Sequence, residues 1–168
     1  MIQRMFHGLA LILLSASLSA CLFTARQKAF IPYKAVAIAG KPSPTLLGQV
    51  QFDILTYIDV KVAISPNDAD LIVEILDDGP NSAIASYGAT GQISAYDLND
   101  VVVFRALDKD GQEVIAPTEI FAVRNMSYSP HTVLSSDIQQ VKMIEDMRKE
   151  LAMQITMHLM SLGYRKTK

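Results

Sequence analysis

Apolar side chains change their period several times along the chain, and each change predicts an element. In residues 34–40 they alternate with small residues and stop at glycine, which predicts a short first strand. Ser43 before Pro44 is a helix start signal, and apolar residues then recur every three to four positions. The predicted buried face of this helix holds Leu46, Leu47, Val50, Ile54 and Leu55, with Gln49, Gln51 and Asp53 opposite.

A strand followed by a helix predicts that the next apolar segment, residues 59–64, pairs parallel to the first strand. Residues 65–68 are a turn cluster, and residues 70–77 are β-branched and apolar on both faces, which predicts a strand near the centre of a sheet. Residues 78–81 bend or break this strand, and residues 82–87 can continue it.

Two further long strands are predicted at residues 92–107 and 112–128, joined by a hairpin turn at residues 108–111. Proline cannot donate to a β-ladder, so Pro117 predicts an edge strand or a bulge in the second of them. Alternation assigns the first strand two faces, one with Tyr96, Leu98, Val102, Phe104 and Ala106, the other with Asp97, Asn99, Val101, Val103 and Arg105.

The last segment is predicted to be a long helix that packs on the sheet beside the first helix. Its start is open between Ser129 and Ser136, and Gly163 is expected to cap its end. The predicted apolar face holds Leu134, Ile138, Val141, Ile144, Leu151, Ile155, Leu159 and Leu162. Five methionines widen this face, either as core filling or as a soft partner surface: Met143, Met147, Met153, Met157 and Met160.

The N-terminal sequence has the pattern of a secretory signal, with Arg4 before an apolar run at residues 9–23. This run is shorter than the roughly 20 residues that a membrane-spanning helix needs. Leu18-Ser19-Ala20-Cys21 resembles the bacterial lipobox, which implies cleavage before Cys21 and lipid attachment there as N-palmitoyl and S-diacylglycerol groups. The alternative is an ordinary signal peptide with a chance cysteine.

By the sorting rule of such lipoproteins, Leu22 in place of aspartate implies an outer-membrane, lipid-anchored protein on the periplasmic side. The predicted organisation is a signal peptide at residues 1–20, a lipidated tether at 21–33, one periplasmic domain at 34–164 and a tail at 165–168. The whole chain carries 15 Lys plus Arg and 17 Asp plus Glu, and Arg4 is the only one of these residues in the signal. The mature domain is therefore slightly acidic, which excludes a nucleic-acid partner.

The search for chemistry predicts no catalytic residue, no metal site and no cofactor. His7, His131 and His158 lack metal-ligand spacing, and neither a nucleophile elbow nor a phosphate loop occurs. With Cys21 carrying lipid, no internal disulfide is possible. The sequence thus favours a binding or assembly protein over an enzyme.

Several motifs in order resemble the LptE family of lipopolysaccharide-assembly lipoproteins. The family has Cys-Gly-Phe-x-Leu-Arg-Gly after cleavage, and here Phe23 and Arg26 keep that spacing from Cys21 while both glycines and the leucine are replaced. Further matches are Tyr87, Gly91-Gln92 and Tyr96, then Pro130-His131-Thr132-Val133-Leu134, Glu145-Asp146-Met147, Leu151-Ala152, Gln154-Ile155 and Leu159. The resemblance covers residues 21 to about 162.

This resemblance implies an α+β two-layer sandwich, in which a mostly antiparallel mixed sheet of four to five strands carries two helices on one face. It also implies a partner, the LptD β-barrel, whose lumen the domain would plug during lipopolysaccharide transport. Val101 and Val103 among polar neighbours would supply the mixed surface of such a plug, and a merely solvated sheet face is the alternative.

Lipopolysaccharide is anionic, so its direct binding needs Lys or Arg. The loops at residues 88–91 and 130–137, where the family can carry basic residues, contain none. Arg105, Lys109 and Arg124 are the nearest candidates. The alternative function is another outer-membrane lipoprotein that acts as a non-catalytic periplasmic adaptor or activator for cell-wall synthesis or an export machine.

Overall fold

A computed structural model describes residues 27–129 and 133–165. The strands are β1 (Ala35–Gly40), β2 (Lys61–Val62), β3 (Leu71–Tyr87), β4 (Ile93–Asp108) and β5 (Glu113–Ser127). The helices are α1 (Pro44–Tyr57) and α2 (Val133–Arg165), with a short 3-10 turn at Pro66–Asp68. The signal, Cys21 and its flanking motif, residues 130–132 and residues 166–168 lie outside the described residues.

The five strands form one mixed sheet in the order β2-β1-β3-β4-β5. β1 pairs parallel with both β2 and β3, while β3, β4 and β5 pair antiparallel. This confirms the parallel second strand, shortened to two residues, and the central place of the strand that begins near residue 70. The predicted α+β sandwich with two helices and a mostly antiparallel sheet is also confirmed.

Both helices pack on the same face of the sheet and share one core with it. Alternate residues of β4 supply the sheet side of that core, and Leu151 and Ile155 of α2 supply part of the helix side; all are fully buried. Ser43 caps α1 as predicted, since its hydroxyl accepts from the Leu46 amide at 3.3 Å. Met147 is fully buried, which confirms the core-filling role for this methionine, whereas Met157 is half exposed.

β3 continues through residues 78–81 rather than breaking there. A register shift between Ile75 and Asp77 absorbs the bend, and the strand then pairs with β4 as far as Tyr87. Pro117 lies in the edge strand β5 at a second register shift, opposite the step from Phe104 to Ala106. The edge strand and the bulge, the two alternatives predicted from Pro117, are therefore both present.

Four predictions about the helix faces are wrong, those for Asp53 and Leu55 of α1 and those for Ile138 and Val141 of α2. Asp53, expected on the polar side of α1, is 3% exposed, whereas Leu55 is 48% exposed. Ile138 and Val141 of α2 are also largely exposed. For Ile138 and Val141 the reason is that the core residues of α2 lie mainly in its second half, so the apolar period of its first half does not correspond to burial.

Gly163 does not cap α2, because the helix runs on to Arg165. A Cβ at this glycine would overlap the backbone carbonyl of Phe30, so the residue permits a close approach between α2 and the N-terminal segment. That segment is attached to the fold: Ile31 is 1% exposed, and the Ala29 amide donates to the Tyr57 carbonyl at 2.7 Å.

Candidate functional site

The face of the sheet that carries no helix is a mixed polar and apolar surface, here called the open face. Its members alternate with buried neighbours along two adjacent strands. They are Asp97, Asn99, Val101, Val103 and Arg105 of β4 and Phe121 and Val123 of β5. Val101 lies directly opposite Phe121, and Asn99 lies opposite Val123, so the apolar side chains form one contiguous strip.

Polar contacts hold both ends of this strip. At one end Arg105 Nε donates to Glu74 Oε2 at 2.7 Å, and its Nη1 donates to Glu113 Oε1 at 3.2 Å. Hydrogen bonding to Glu74 is the main cause that raises the pKa of Arg105. At the other end Asn125 Nδ2 donates to Asp97 Oδ1 at 2.8 Å. The open face is therefore an apolar strip with hydrogen-bonded polar side chains at both ends.

A buried ion-pair cluster stands behind the open face, between the sheet and the helices. Arg148 of α2 contacts the carboxylate of Asp78, and its Nε lies 2.7 Å from Asp100 Oδ2. The same guanidinium donates to Ser43 Oγ at 3.1 Å, and the Ser43 amide donates to Asp78 Oδ2 at 2.6 Å. One buried arginine thus joins the start of α1, β3, β4 and α2.

The cluster is nearly solvent-free. The side chains of Arg148, Asp78 and Asp100 are 6%, 1% and 0% exposed. Burial raises the pKa of Asp100, and the charge of Arg148 opposes this shift. Sequence reasoning missed the cluster, although Asp100 occupies the buried register of β4 between Leu98 and Val102, and that alternation is a signal that could have found it.

The three candidate lipopolysaccharide-binding residues are not brought together by the fold. Arg105 lies on the open face, whereas Arg124 reaches the helix side and pairs with Glu150 of α2 at 2.6 Å. Lys109 lies in the turn between β4 and β5, beside Asp108 and Asp110. Within residues 27–129 and 133–165, Lys109 is the only one of the three without an ion pair.

The described part of the chain offers no cluster of three or more His, Cys, Asp or Glu side chains that could hold a metal ion. Among the helices that the structure describes, none has the length and apolar character needed to cross a membrane. Cys21, the predicted lipid attachment site, lies outside the described residues.

The model of the LptE family, described as lipopolysaccharide-assembly, matches residues 33–159, which is more than half of the chain. No curated protein matches the chain. Among solved structures, lipoprotein B from Nitrosomonas europaea aligns with a TM-score of 0.68 and 22% identity over 79% of this chain and 86% of that one. A minor lipoprotein from Acinetobacter baumannii aligns with a TM-score of 0.65 and 21% identity over 78% and 93%.

A third solved structure, the rare lipoprotein B from Shewanella oneidensis, aligns with a TM-score of 0.63 and 21% identity. It covers 77% of this chain and 97% of that one. At these identities the three structures establish that the fold is shared. The family match is the observation that bears on function.

Proposed function

The chain belongs to the LptE family of lipopolysaccharide-assembly proteins, and from that premise we propose that it assembles with the LptD β-barrel and plugs its lumen. A wide barrel encloses an aqueous channel, and a plug must present a rigid surface that satisfies polar wall residues and covers apolar ones. A role in lipopolysaccharide assembly follows from the family itself. The barrel partner and the plug geometry are the proposal.

The open face is the observation that carries this proposal. Phe121 is 62% exposed and Val123 is 47% exposed, although both lie on a strand whose alternate residues are buried. An apolar centre with a polar rim is the usual anatomy of a protein interface. The hydrogen-bonded pairs of Arg105 with Glu74 and of Asp97 with Asn125 supply that rim.

The buried ion-pair cluster of Arg148, Asp78 and Asp100, on the helix side of the sheet, supports the same function. Arg148 connects β3 and β4 to α1 and α2, so the strands that form the open face are fixed relative to the helix layer. A surface held this way loses little conformational entropy on binding. Rigidity of the open face is thus what we propose the cluster contributes to assembly.

We further propose that lipid on Cys21 anchors the protein to the periplasmic side of the outer membrane. Several acyl chains on one cysteine bind a bilayer stably, since a single chain binds only marginally. The anchor would raise the effective concentration of the plug near its barrel. No catalytic step is included in this function, because the family is a non-enzymatic assembly component.

Lys109 is the residue that we propose for a direct contact with lipopolysaccharide. Arg105 and Arg124 are already bound to Glu74, Glu113 and Glu150, so a phosphate would have to displace those carboxylates. Lys109 has no such competitor in an ion pair among the described residues. Its ammonium is the cation of the three that is available to an anionic head group.

Affinity purification of the tagged mature protein tests the proposal. A large outer-membrane β-barrel is expected to co-purify, and depletion of the protein is expected to remove lipopolysaccharide from the cell surface. Recovery of the folded protein without any barrel would contradict the plug. Unchanged surface lipopolysaccharide with altered cell shape would instead support the adaptor function.

A further inference from the structure

We propose that two copies of this chain pair antiparallel through the exposed edge of β3, in the register that sets Ile84 of one copy opposite Ile84 of the other. Residues 81–87 are the pairing segment and are here called the free edge. The occupant of this edge is a second copy of the chain. Such a dimer would be a property of the free protein and does not depend on the barrel partner.

The strand position beside the second half of β3 is empty. β1 pairs with β3 only from Leu71 to Ile75, whereas β3 continues to Tyr87 and pairs there with β4. In the described chain no strand lies on the other side of this second half. All seven residues of the free edge are exposed. A row of edge N–H and C=O groups is a template for another strand.

The free edge also lacks the features that usually prevent such pairing. Residues 81–87 contain no charged residue and no proline. The edge strand on the opposite side of the sheet, β5, carries Pro117 and the charged residues Glu113, Glu119 and Arg124. Charges and proline on an edge strand discourage the addition of a further strand. Of the two long edges, the free edge of β3 is therefore the one suited to pairing.

The sequence of the free edge is self-complementary. Residues 82–86 are Ser-Ala-Ile-Ala-Ser, which is the same in both directions. An antiparallel pair centred on Ile84 sets Ser82 opposite Ser86 and Ala83 opposite Ala85, so no charge faces another charge. The pairing of β3 with β4 shifts register at Ala85, and in this arrangement the extra residue meets only the small side chain of Ala83. The contact is thus isologous, as in a two-fold dimer.

An apolar side of α2 lies next to the free edge. Ile138 is 65% exposed and Val141 is 59% exposed, one helical turn apart on the same side of the helix. Val141 and Pro80 line one groove, of about 380 Å³, and Ile144 and Ser82 line a second groove beside it. The first half of α2 therefore borders the strand position that β1 leaves empty.

One two-fold axis brings both features together. Ile84 lies opposite Tyr96, which is on the same sheet face as the buried Leu98, the face that carries the helices. Antiparallel pairing keeps the helix layers of both copies on one face of the joined sheet, so the Val141 side of each α2 is turned toward the other copy. A second copy thus supplies a strand in matched register and an apolar helix side at once, which is why it is the occupant that we propose.

Light scattering of the purified full mature protein in detergent, with the detergent mass subtracted, measures the assembly. A seven-residue edge is a small interface, so we expect a reversible dimer that dissociates on dilution. Ile84→Lys and Ile84→Glu each place like charges opposite one another, and each should weaken dimerisation about fivefold or more. An equimolar mixture of the two variants should restore the dimer. Ala116→Lys, at an exposed position on the β5 edge, is the control and should dimerise like the wild type.

Disulfide formation under mild oxidation tests the register. Opposite residues of an antiparallel pair have Cα atoms about 5 Å apart, so Ile84→Cys should give a reducible dimer. Two copies of residue 82 would lie about 14 Å apart, beyond disulfide reach, so Ser82→Cys should give none. The wild type, whose one cysteine is Cys21, reports any disulfide at that residue.

The outcomes separate the parts of the proposal. A wild type that stays monomeric at every concentration overturns the dimer. A dimer that persists in both Ile84→Lys and Ile84→Glu, or a mixture of these variants that stays monomeric, overturns pairing through the free edge. Equal disulfide yields at positions 82 and 84 overturn the register.

Discussion

Arg148 Nε lies 2.7 Å from Asp100 Oδ2, and this ion pair is buried between the sheet and both helices. A buried pair of this kind adds little net stability over an apolar equivalent, because both charges have lost their hydration. Removal of only one partner of the pair is strongly destabilising, since the remaining charge is then buried without a counterion. The cluster therefore makes the relative position of β4 and α2 sensitive to a single residue.

Replacing Arg148 with Met tests this sensitivity. The substitution leaves Asp78 and Asp100 buried without their cation, so the free energy of unfolding is expected to fall by about 3–5 kcal/mol. Chemical denaturation of the purified domain measures the change. Lys149→Met, at an exposed neighbouring position, is the control and should change stability by less than about 1 kcal/mol. Equal midpoints for the two variants would show that the cluster does not stabilise the fold.

The burial of the Asp53 carboxyl predicts that the stability of the domain depends on pH. Burial raises the pKa of this carboxyl, and Oδ2 has no hydrogen-bond partner in the described chain. The folded state consequently holds the proton more tightly than the unfolded state, so the free energy of unfolding falls as pH rises from about 4 through the folded pKa and stays lowered above it.

Asp53→Asn removes that dependence while it keeps an oxygen for the Gln49 amide, which donates to Asp53 at 2.9 Å. The variant is expected to be more stable than the wild type by about 1 kcal/mol at pH 7 and no more stable near pH 4. Thermal unfolding across that pH range is the measurement, and Asp59→Asn at an exposed site is the control. A benefit that is constant with pH would show that the Asp53 charge is not its source.

Two glycines are expected to respond to alanine with opposite signs. Gly163→Ala inserts a methyl group into the Phe30 backbone, and we expect a loss of about 1–3 kcal/mol with earlier proteolysis in the N-terminal segment. Gly48→Ala, inside α1 with open space around it, should gain about 0.5–1 kcal/mol. Denaturation of both variants and limited proteolysis of the first measure these effects, and a neutral Gly163→Ala would refute the close approach.

Lys109 is expected to contribute to the direct binding of lipopolysaccharide. A charge-assisted hydrogen bond to phosphate is worth about 1.5–3 kcal/mol, so Lys109→Ala should weaken binding by roughly tenfold or more. Binding of purified lipopolysaccharide to the immobilised mature protein measures this. Lys61→Ala, an exposed lysine on β2, is the control. Equal affinities for both variants would remove Lys109 from the site.

The period of the apolar residues was sufficient to predict where the strands lie. Their order in the sheet was also predictable, because each strand pairs with a strand next to it in sequence or follows a parallel crossover. Alternation in β4 likewise predicted the open face. Burial along α2 could not be read in the same way, because Ile138 and Val141 continue the apolar period beyond the part of the helix that packs on the core.

The polar interior was the other feature that sequence alone did not predict. Asp53 and Arg148 resemble exposed helix residues until their partners are known, and the partners of Arg148 lie 70 residues away at Asp78 and 105 residues away at Ser43. Only the register of three elements brings those groups together. The role of Gly163 was also not predictable from the sequence, because its packing against Phe30 is a contact between residues far apart in the chain.

Site-specific photo-cross-linking in cells tests the central claim most directly. Phe121 on the open face and Phe52 on α1 are both 62% exposed, so a cross-linking amino acid at either position meets solvent equally in the free domain. We predict that position 121 forms an adduct with a large outer-membrane β-barrel and that position 52 forms markedly less. Equal adducts at both positions, or an adduct at position 52 alone, would contradict the proposal that the open face contacts the barrel.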